Sequence, residues 1–268
     1  MPYTLIPIHH LMKRAQQRKA LQQKKPPVQP TPPVQPTPPA KPQVPVISLL
    51  KYCTFVYDQG NLGSCTANAF CTAYRVLCVV QNKYTGFVPS RLFFYYNERV
   101  IEGTVSEDAG ADVVDGEAYV QTNGICSESQ WPYNVSKFAI RPPASCFKVA
   151  PQHKIKSFQV LMQTGAALIT AMQLQLNNKQ PLLIAIAVYD SFISDSVAVT
   201  GLVSMPDLVN EICQGGHELC VLGYDNGRQA FQVMNSWGTS WGIHGTCWIP
   251  YTYIQNPDLC FEVTLFSL

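Results

Sequence analysis

The stretch YDQGNLGSCTANAF, residues 57–70, places a glutamine and two glycines before a cysteine, Cys65. Apolar residues then recur every three or four positions as far as Cys78, and this spacing predicts a helix with one buried face. A cysteine at the start of a helix lies at the positive end of the helix dipole, which favours the thiolate over the thiol. Because the thiolate is the nucleophilic form, the pattern predicts a reactive cysteine.

The residues before Cys65 suit an acyl-transfer site. Gln59 can offer a side-chain N–H to the oxygen of a carbonyl under attack, next to the backbone N–H of Cys65. Two such donors form an oxyanion hole. Gly60 and Gly63 allow the backbone to approach a substrate closely.

A nucleophile needs a base, and the base needs a group that orients it. His217 stands in GGHELCVLGYD, where two glycines would let its imidazole lie at a cleft edge; a structural role at a strand edge is the alternative. In the later stretch MNSWGTSWG, Asn235 can accept the imidazole N–H, and Trp237 can cover that hydrogen bond from water. Each piece has a structural explanation of its own, but the three in this order favour a Cys-His-Asn site.

The chain changes character along its length. The stretches PSRLFFYYNERVIEG, GADVVDGEAYVQTNG and residues 164–178 predict three more helices. The later runs PLLIAIAV, ELCVLGYD, QAFQVMN and TCWIPY predict strands, with Asp225-Asn226-Gly227 as a hairpin turn. A helical first half and a strand-rich second half predict an α+β fold of two subdomains with a cleft between them, divided near residue 150.

The N-terminal extension, residues 1–45, is basic and then proline-rich. Residues 26–43 repeat a six-residue unit three times, which predicts an extended polyproline helix. Such a segment is a spacer, a ligand for a proline-recognising partner, or part of a removable pro-segment. Folded sequence begins at Val46.

Composition excludes several classes of protein. The net charge of +2 gives no global nucleic-acid signal, and no stretch is apolar enough to span a bilayer. The N-terminus is apolar first and basic afterwards, the reverse of a secretory signal. We leave the compartment open, with an intracellular or host-cell-associated location as one option. The ten cysteines contain no C-x-x-C pair that would indicate zinc, and we expect Cys71 and Cys78 to be buried free thiols.

Taken together, G-S-C at a helix start, a distant G-G-H and N-S-W-G-x-x-W-G resemble the papain-like cysteine peptidases, the cathepsin family. D-Q-G-x-x-G-S-C-T-A-N more closely resembles the branch of that family found in microbes and large viruses. The resemblance covers about residues 46–255. It implies a papain-like domain over 46–268, with a helical lobe at about 46–150, an antiparallel β-barrel-like lobe at about 151–268, and the active-site cleft between them.

The resemblance also implies roles for individual residues. Cys65 would be the nucleophile and His217 its base and later acid. Asn235 would orient His217, and Gln59 would complete the oxyanion hole. The substrate would be a peptide or protein, cleaved through a thioester intermediate, with no metal or organic cofactor.

Substrate contacts follow from the same resemblance. Gly110 matches the glycine whose backbone pairs with an extended substrate, and Trp237 matches the tryptophan that shields the His–Asn contact. Glu218 stands where the family usually has a small residue, bordering the pocket for the second substrate residue upstream of the cut. A carboxylate there would favour a basic side chain, unless Glu218 turns to solvent or pairs with an arginine. Leu62 stands in place of the family's first cysteine in C-G-S-C-W, so the disulfide beside the site is not assumed.

The extension departs most from the family, whose precursors carry a long helical pro-domain through the cleft. Residues 1–45 cannot form such a domain. We expect an inhibitory segment of different design, in which an extended polyproline strand fills the peptide groove; a spacer is the alternative. The predicted function is therefore a cysteine peptidase, made as a zymogen. The alternatives are a peptide-binding protein without turnover, and an interaction protein that acts through its proline-rich arm.

Overall fold

Seven α-helices and an antiparallel sheet of seven strands build the part of the chain that the computed structural model describes, residues 4–8, 12, 16–17, 46–84 and 86–268. The helices are α1 (Cys65–Gln81), α2 (Arg91–Glu102), α3 (Val113–Asn123), α4 (Ala144–Val149), α5 (Gly165–Asn177), α6 (Asp195–Thr200) and α7 (Tyr251–Gln255). The strands are β1 (Val46–Ser48), β2 (Ser157–Val160), β3 (Leu182–Tyr189), β4 (Cys213–Asp225), β5 (Ala230–Met234), β6 (Thr246–Pro250) and β7 (Cys260–Ser267). The proline repeat at 26–43 lies outside the described residues.

The helix predictions are confirmed for α1, α2, α3 and α5. The hydroxyl of Ser90 caps α2 by accepting from the backbone N–H of Phe93, and the carboxylate of Asp112 caps α3 by accepting from that of Val114. Gly103 ends α2 in the left-handed conformation. The short helices α4, α6 and α7 were not predicted, because five or six residues are too few to show a periodic pattern.

The sheet confirms the α+β prediction but is not closed into a barrel. Its order is β2-β7-β3-β4-β5-β6, and β1 pairs with β4 beside this path. Within the described residues the two end strands, β2 and β6, do not pair with each other. The four predicted strands correspond to β3, β4, β5 and β6, whereas β1, β2 and β7 were not predicted.

The strand β1 connects the helical part of the protein to the sheet. This strand precedes the helices in the chain, yet it pairs with β4 through Ile47 opposite Tyr224. A Cβ on Gly223 would lie 2.3 Å from the carbonyl oxygen of Ile47, so the close approach of the two strands depends on this glycine. The boundary near residue 150 stays a prediction.

The core strands place the site residues in register. Ile186 of β3 lies opposite His217 of β4, and Ala185 of β3 lies opposite Glu218. On its other side, Ala185 pairs with Glu262 of β7. The helix α1 packs against β4, and the backbone of Glu218 in β4 hydrogen-bonds Cys65 at the start of α1.

All ten cysteines lie in the described part of the chain and are free thiols, and Cys71 and Cys78 are buried in α1 as predicted. Among the described residues, no helix is long and apolar enough to cross a membrane.

Candidate active site

Cys65 is the first residue of α1 and is completely buried. The turn before it is held by Asn68, whose side-chain N–H groups donate to the carbonyl of Ser64 at 2.8 Å and to its hydroxyl at 3.1 Å. The hydroxyl of the next residue, Thr66, donates to the buried carboxylate of Glu98 on α2. These contacts fix the first turn of α1 and therefore the position of the thiol.

His217 and Asn235 are brought together as the sequence predicted. Nε2 of His217, in β4, lies 2.8 Å from Oδ1 of Asn235, which follows β5. The backbone N–H of Ser236 donates to the same Oδ1 at 2.7 Å, which keeps the amide oxygen facing the imidazole. The indole of Trp237 stacks on the imidazole with ring centroids 4.8 Å apart and planes inclined by 23°. The His–Asn hydrogen bond is therefore oriented and covered by an aromatic ring.

The thiol of Cys65 and the imidazole of His217 are both fully buried. A backbone hydrogen bond from Glu218, the residue after His217, reaches the Cys65 thiol. Nδ1 of His217 has no hydrogen-bond partner among the described residues, so it is the ring nitrogen left for proton exchange. Asn235 holds the opposite nitrogen, and the tautomer with hydrogen on Nε2 leaves Nδ1 as an acceptor.

Burial sets the charge state of this pair. It raises the pKa of the Cys65 thiol to about 12, against a smaller lowering by the backbone hydrogen bond from Glu218. Burial also lowers the pKa of His217 to about 4, while the hydrogen bond that His217 donates to Asn235 acts in the opposite direction. The expectation of a thiolate at the helix start is thus wrong for this covered arrangement. With these pKa values the pair is a neutral thiol and a neutral imidazole at pH 7.

Gln59 is fully buried and fixed at both ends of its amide. Its Oε1 accepts a 2.6 Å hydrogen bond from the hydroxyl of Ser236. Its Nε2 donates to the carbonyl oxygens of Leu62 at 3.0 Å and Thr4 at 3.2 Å. The sequence does not predict this contact of Ser236. The one signal for a role of Ser236 is its place between Asn235 and Trp237 in N-S-W.

A segment from the beginning of the chain lies against these residues. Ile6 and Gly216 form an antiparallel bridge, with N–H to O distances of 3.0 Å from Ile6 and 2.7 Å from Gly216. Ile6 is buried, and a Cβ on Gly110 would lie only 1.7 Å from its Cγ2. A Cβ on Gly215 would lie 2.8 Å from the carbonyl oxygen of Ile6. Glycine at these two positions is what leaves room for a peptide between β4 and the turn at Gly110.

The remaining predicted substrate contacts differ from expectation. The backbone N–H of Gly63 donates to the two carboxylate oxygens of Asp108 at 3.0 and 3.1 Å, so another part of the protein already holds it. Glu218 is only 2% exposed, and it forms no ion pair within the described residues. Both alternatives considered for Glu218, a solvent-facing side chain and an arginine pair, are therefore wrong for this part of the chain. Among the described residues, no group of three or more His, Cys, Asp or Glu side chains is arranged to hold a metal ion.

Comparison with known proteins agrees with this geometry. A sequence model described as Papain family cysteine protease matches residues 49–258. The chain is 36% identical over 209 residues to the uncharacterized peptidase C1-like protein L477 of Acanthamoeba polyphaga mimivirus, covering 76% of this chain and 67% of that protein. It is similar to the crystal structure of xylellain, a cysteine protease from Xylella fastidiosa, with a TM-score of 0.76 and 32% identity over 84% of this chain and 86% of that one. Digestive procathepsin L 3 of Tenebrio molitor larvae shares the fold, with a TM-score of 0.64 and 20% identity over 85% of this chain and 71% of that one.

Proposed function

Because this chain belongs to the papain family of cysteine proteases and is a papain-like cysteine peptidase, we propose that Cys65, His217 and Asn235 act together as its catalytic triad. The observation that carries the proposal is the 2.8 Å contact between His217 and Asn235, covered by Trp237. The backbone of Glu218, the residue after His217, hydrogen-bonds the thiol of Cys65. The substrate is a peptide or protein, and the reaction is hydrolysis of a peptide bond.

In this reaction His217 transfers protons and Cys65 attacks the substrate. Nδ1 of His217 takes the proton of the Cys65 thiol, and the sulfur attacks the peptide carbonyl carbon. The negative charge that develops on the carbonyl oxygen is stabilised by Nε2 of Gln59 and the backbone N–H of Cys65. His217 then gives its proton to the departing amine, which leaves a thioester on Cys65. Water, deprotonated by the same imidazole, hydrolyses the thioester and restores the thiol.

Ser236 has a positioning role in this scheme. An amide side chain can present either its oxygen or its nitrogen to the oxyanion hole, and only the nitrogen stabilises a negative charge. The hydroxyl of Ser236 donates to Oε1 of Gln59, so Nε2 is the end that remains for the substrate oxygen.

We further propose that the chain is made in a latent form, with residues 4–8 as the blocking segment. The carbonyl of Thr4 occupies the donor Nε2 of Gln59, and Ile6 pairs with Gly216, the residue before His217. The groups that would bind a substrate carbonyl and a substrate backbone are therefore engaged by the chain itself. Leu5 and Ile8 pack against the hydrophobic core on either side of Ile6.

The direction of this segment explains why it would resist cleavage. The family resemblance places the second substrate residue upstream of the cut beside position 218, so that residue lies N-terminal to the carbonyl in the oxyanion hole. Here Ile6, beside Gly110, lies C-terminal to Thr4, whose carbonyl contacts Gln59. The segment thus runs opposite to a substrate, and its peptide bonds are not presented to Cys65 in the reactive order.

The charge state of the site supports the same proposal. While the segment covers the site, burial holds the thiol and the imidazole neutral, with pKa values of about 12 for Cys65 and about 4 for His217. Departure of the segment would return water to both groups, lower the pKa of Cys65 and raise that of His217. The thiolate–imidazolium form would become accessible only in the uncovered enzyme. In this proposal the blocking contacts come from residues 4–8, and a tether role for the proline repeat stays a prediction.

An assay with a fluorogenic peptide library tests both parts. Ile6→Asp places a charge in the buried contact, and we expect turnover to rise well above that of the unaltered chain. Cys65→Ala introduced into either form should abolish it. Equal turnover with and without Ile6→Asp would argue against the blocking segment. If both forms are folded, have a reduced thiol and still cleave no peptide, the result would instead favour the peptide-binding role.

A further inference from the structure

The side chain of Ile6 fills a pocket that a substrate side chain would occupy in the uncovered enzyme. We call it the Ile6 pocket; it lies between Gly110 on the helical side and Gly216 and Glu218 on β4. Gly110 contacts the Ile6 side chain so closely that no Cβ would fit there. Gly216 forms the backbone pair with Ile6. The pocket therefore already binds a peptide segment, that of the chain itself.

Glu218 belongs to this pocket by strand geometry. Residues directly opposite one another in an antiparallel pair project to the same face, so the Ile6 side chain shares a face with Gly216. Glu218 follows Gly216 by two positions in β4 and projects to that face as well, about 7 Å further along the strand. His217 projects to the other face. The carboxylate of Glu218 thus points to the same side of the sheet as the Ile6 side chain.

The carboxyl group of Glu218 is held almost out of water. Glu218 is 2% exposed, and no residue that the structure describes donates a hydrogen bond to its side chain. Burial is the main cause of a pKa far above the usual glutamate value, and the negative charge of Glu262 is the second. The acids Asp112, Glu117 and Glu98 add to this in the same direction.

A second carboxylate approaches across the neighbouring strand. Ala185 of β3 lies between Glu218 of β4 and Glu262 of β7, paired with both. The methyl group of Ala185 is too small to separate two long acidic side chains on the same face. The floor of the pocket is thus apolar and small, and its far end is acidic.

We propose that the Ile6 pocket selects a lysine or arginine side chain of the substrate, with Glu218 as the group that receives its charge. The inference rests on the proposed peptidase function and names its substrate class. Lysine and arginine carry an apolar stem that can take the place of the Ile6 side chain, and a cation that can reach further along the strand. Ionising a carboxyl group that is held almost out of water is costly, and a cation from the substrate offsets that cost when it binds.

The same reasoning explains why Ile6 suits a removable blocker. Its side chain fills the apolar part of the pocket but offers nothing to Glu218. A basic substrate gains a charge-assisted contact that the blocking segment lacks. The segment therefore closes the site without competing strongly once it has been released.

The first test compares peptides that differ only at the residue entering the Ile6 pocket, the second before the cut. The whole chain is folded with a recognition site for a site-specific protease placed in the 26–43 repeat, then cut and diluted. We expect kcat/KM for lysine to exceed that for norleucine, its uncharged analogue, at least about tenfold, the effect of one charge-assisted hydrogen bond. Glu218→Gln should remove this preference, so that the lysine and norleucine values become similar. Glu107→Gln, an exposed acid, should keep it.

A norleucine rate equal to or above the lysine rate would overturn the proposal, as would a preference that survives Glu218→Gln. Cleavage of no peptide at all would count against the peptidase function instead, and the pocket would then be judged by a test without turnover. Ile6→Lys in the intact chain places a cation in the pocket. Its effect on Tm is measured in two backgrounds, the chain with Glu218 and the chain with Glu218→Gln. Ile6→Met is the uncharged control in both.

We expect Ile6→Lys to lower Tm less when Glu218 is present, by about 2–4 °C, the shift that corresponds to about a fivefold change in the folding equilibrium for a chain of this size. Ile6→Met should lower Tm equally in the two backgrounds. An equal loss for Ile6→Lys in the two backgrounds would show that the side chain at position 6 does not reach Glu218, and would overturn the proposal.

Discussion

The hydroxyl of Ser236 donates a 2.6 Å hydrogen bond to Oε1 of Gln59, although the two residues are 177 positions apart in the chain. The backbone reinforces the contact, because the N–H of Gln59 donates to the carbonyl oxygen of Ser236 at 2.8 Å. The loop before Cys65 and the loop after β5 are therefore joined twice. One of these loops carries the proposed oxyanion donor, and the other carries Asn235.

Ser236→Ala should lower kcat several-fold and leave KM nearly unchanged. A neutral hydrogen bond of this kind contributes about 0.5–1.5 kcal/mol, which corresponds to a factor of about 2–10. The loss appears in kcat because Gln59 acts on the charge that develops only in the transition state. The measurement is steady-state kinetics on the chain cut in its proline repeat.

Ser240→Ala, an exposed hydroxyl in the same loop region, is the control and should leave both constants unchanged. A rise in KM with kcat intact would mean that Ser236 supports substrate binding rather than the orientation of Gln59.

The sequence was sufficient to predict the residues whose signals are local. Cys65 stands at a helix start, and His217 and Asn235 stand in short motifs whose order is readable along the chain. The contact of Ser236 with Gln59 joins distant segments, and no periodicity in either segment encodes it. Strands of three or four residues, such as β1 and β2, are likewise too short to show alternation, and their existence depends on the partner strand.

The charge state of Cys65 was mispredicted for a related reason. Its position at a helix N-terminus is a local property that favours the thiolate. Its burial is a tertiary property, and Ile6 and Thr4, which precede it by more than fifty positions, lie on the neighbouring Gly216 and Gln59. Burial is the largest cause of the raised pKa of Cys65.

Gly223→Ala should destabilise the protein by pulling β1 away from β4. The new Cβ would lie 2.3 Å from the carbonyl oxygen of Ile47 and 3.0 Å from Cα of Ser48, both backbone atoms that cannot rotate aside. Crowding of this kind costs about 1–3 kcal/mol. Urea unfolding measures this loss of stability. Val46→Ala, at an exposed position of β1, is the control. A midpoint unchanged by Gly223→Ala would show that β1 is not bound as described.

Glu98→Gln should stabilise the chain at neutral pH but not in acid. Glu98 is fully buried, and burial raises its pKa well above the usual value despite the hydrogen bond from Thr66. A carboxyl with a raised folded pKa contributes stability below its unfolded pKa, about 4.3, and loses it as pH rises through the folded pKa. Glutamine keeps an oxygen for Thr66 and cannot ionise.

The Tm of the variant minus that of the unaltered chain should therefore be near zero at pH 4 and reach at least about 2 °C by pH 8. The subtraction matters because His217 titrates in the opposite sense, its lowered pKa of about 4 removing stability as pH falls. Glu107→Gln, at an exposed acid, should give a flat difference. A difference that is constant from pH 4 to pH 8 would rule out titration of Glu98 as its cause.

Alkylation of Cys65 should be slow in the intact chain and fast once the N-terminal segment has left. With a pKa of about 12, the thiol is almost wholly protonated at pH 7, and the Ile6 segment excludes the reagent. Cutting the proline repeat and diluting the product should raise the rate of iodoacetamide modification at least about a hundredfold, since a fall of two pKa units gives that factor in thiolate. Mass spectrometry of the peptide that carries Cys65 gives the rate.

Cys247 is the internal control for this measurement. It is fully buried in β6, and burial raises its pKa as well, but it lies outside the site that Ile6 covers. It should stay unmodified in both forms, so its labelling would indicate unfolding. His217→Ala should slow the reaction of Cys65 in the cut form alone, because the imidazole is the base only where the thiol can ionise. If Cys65 reacts equally fast before and after the cut, the segment around Ile6 does not control the thiol, and the latent form has another cause.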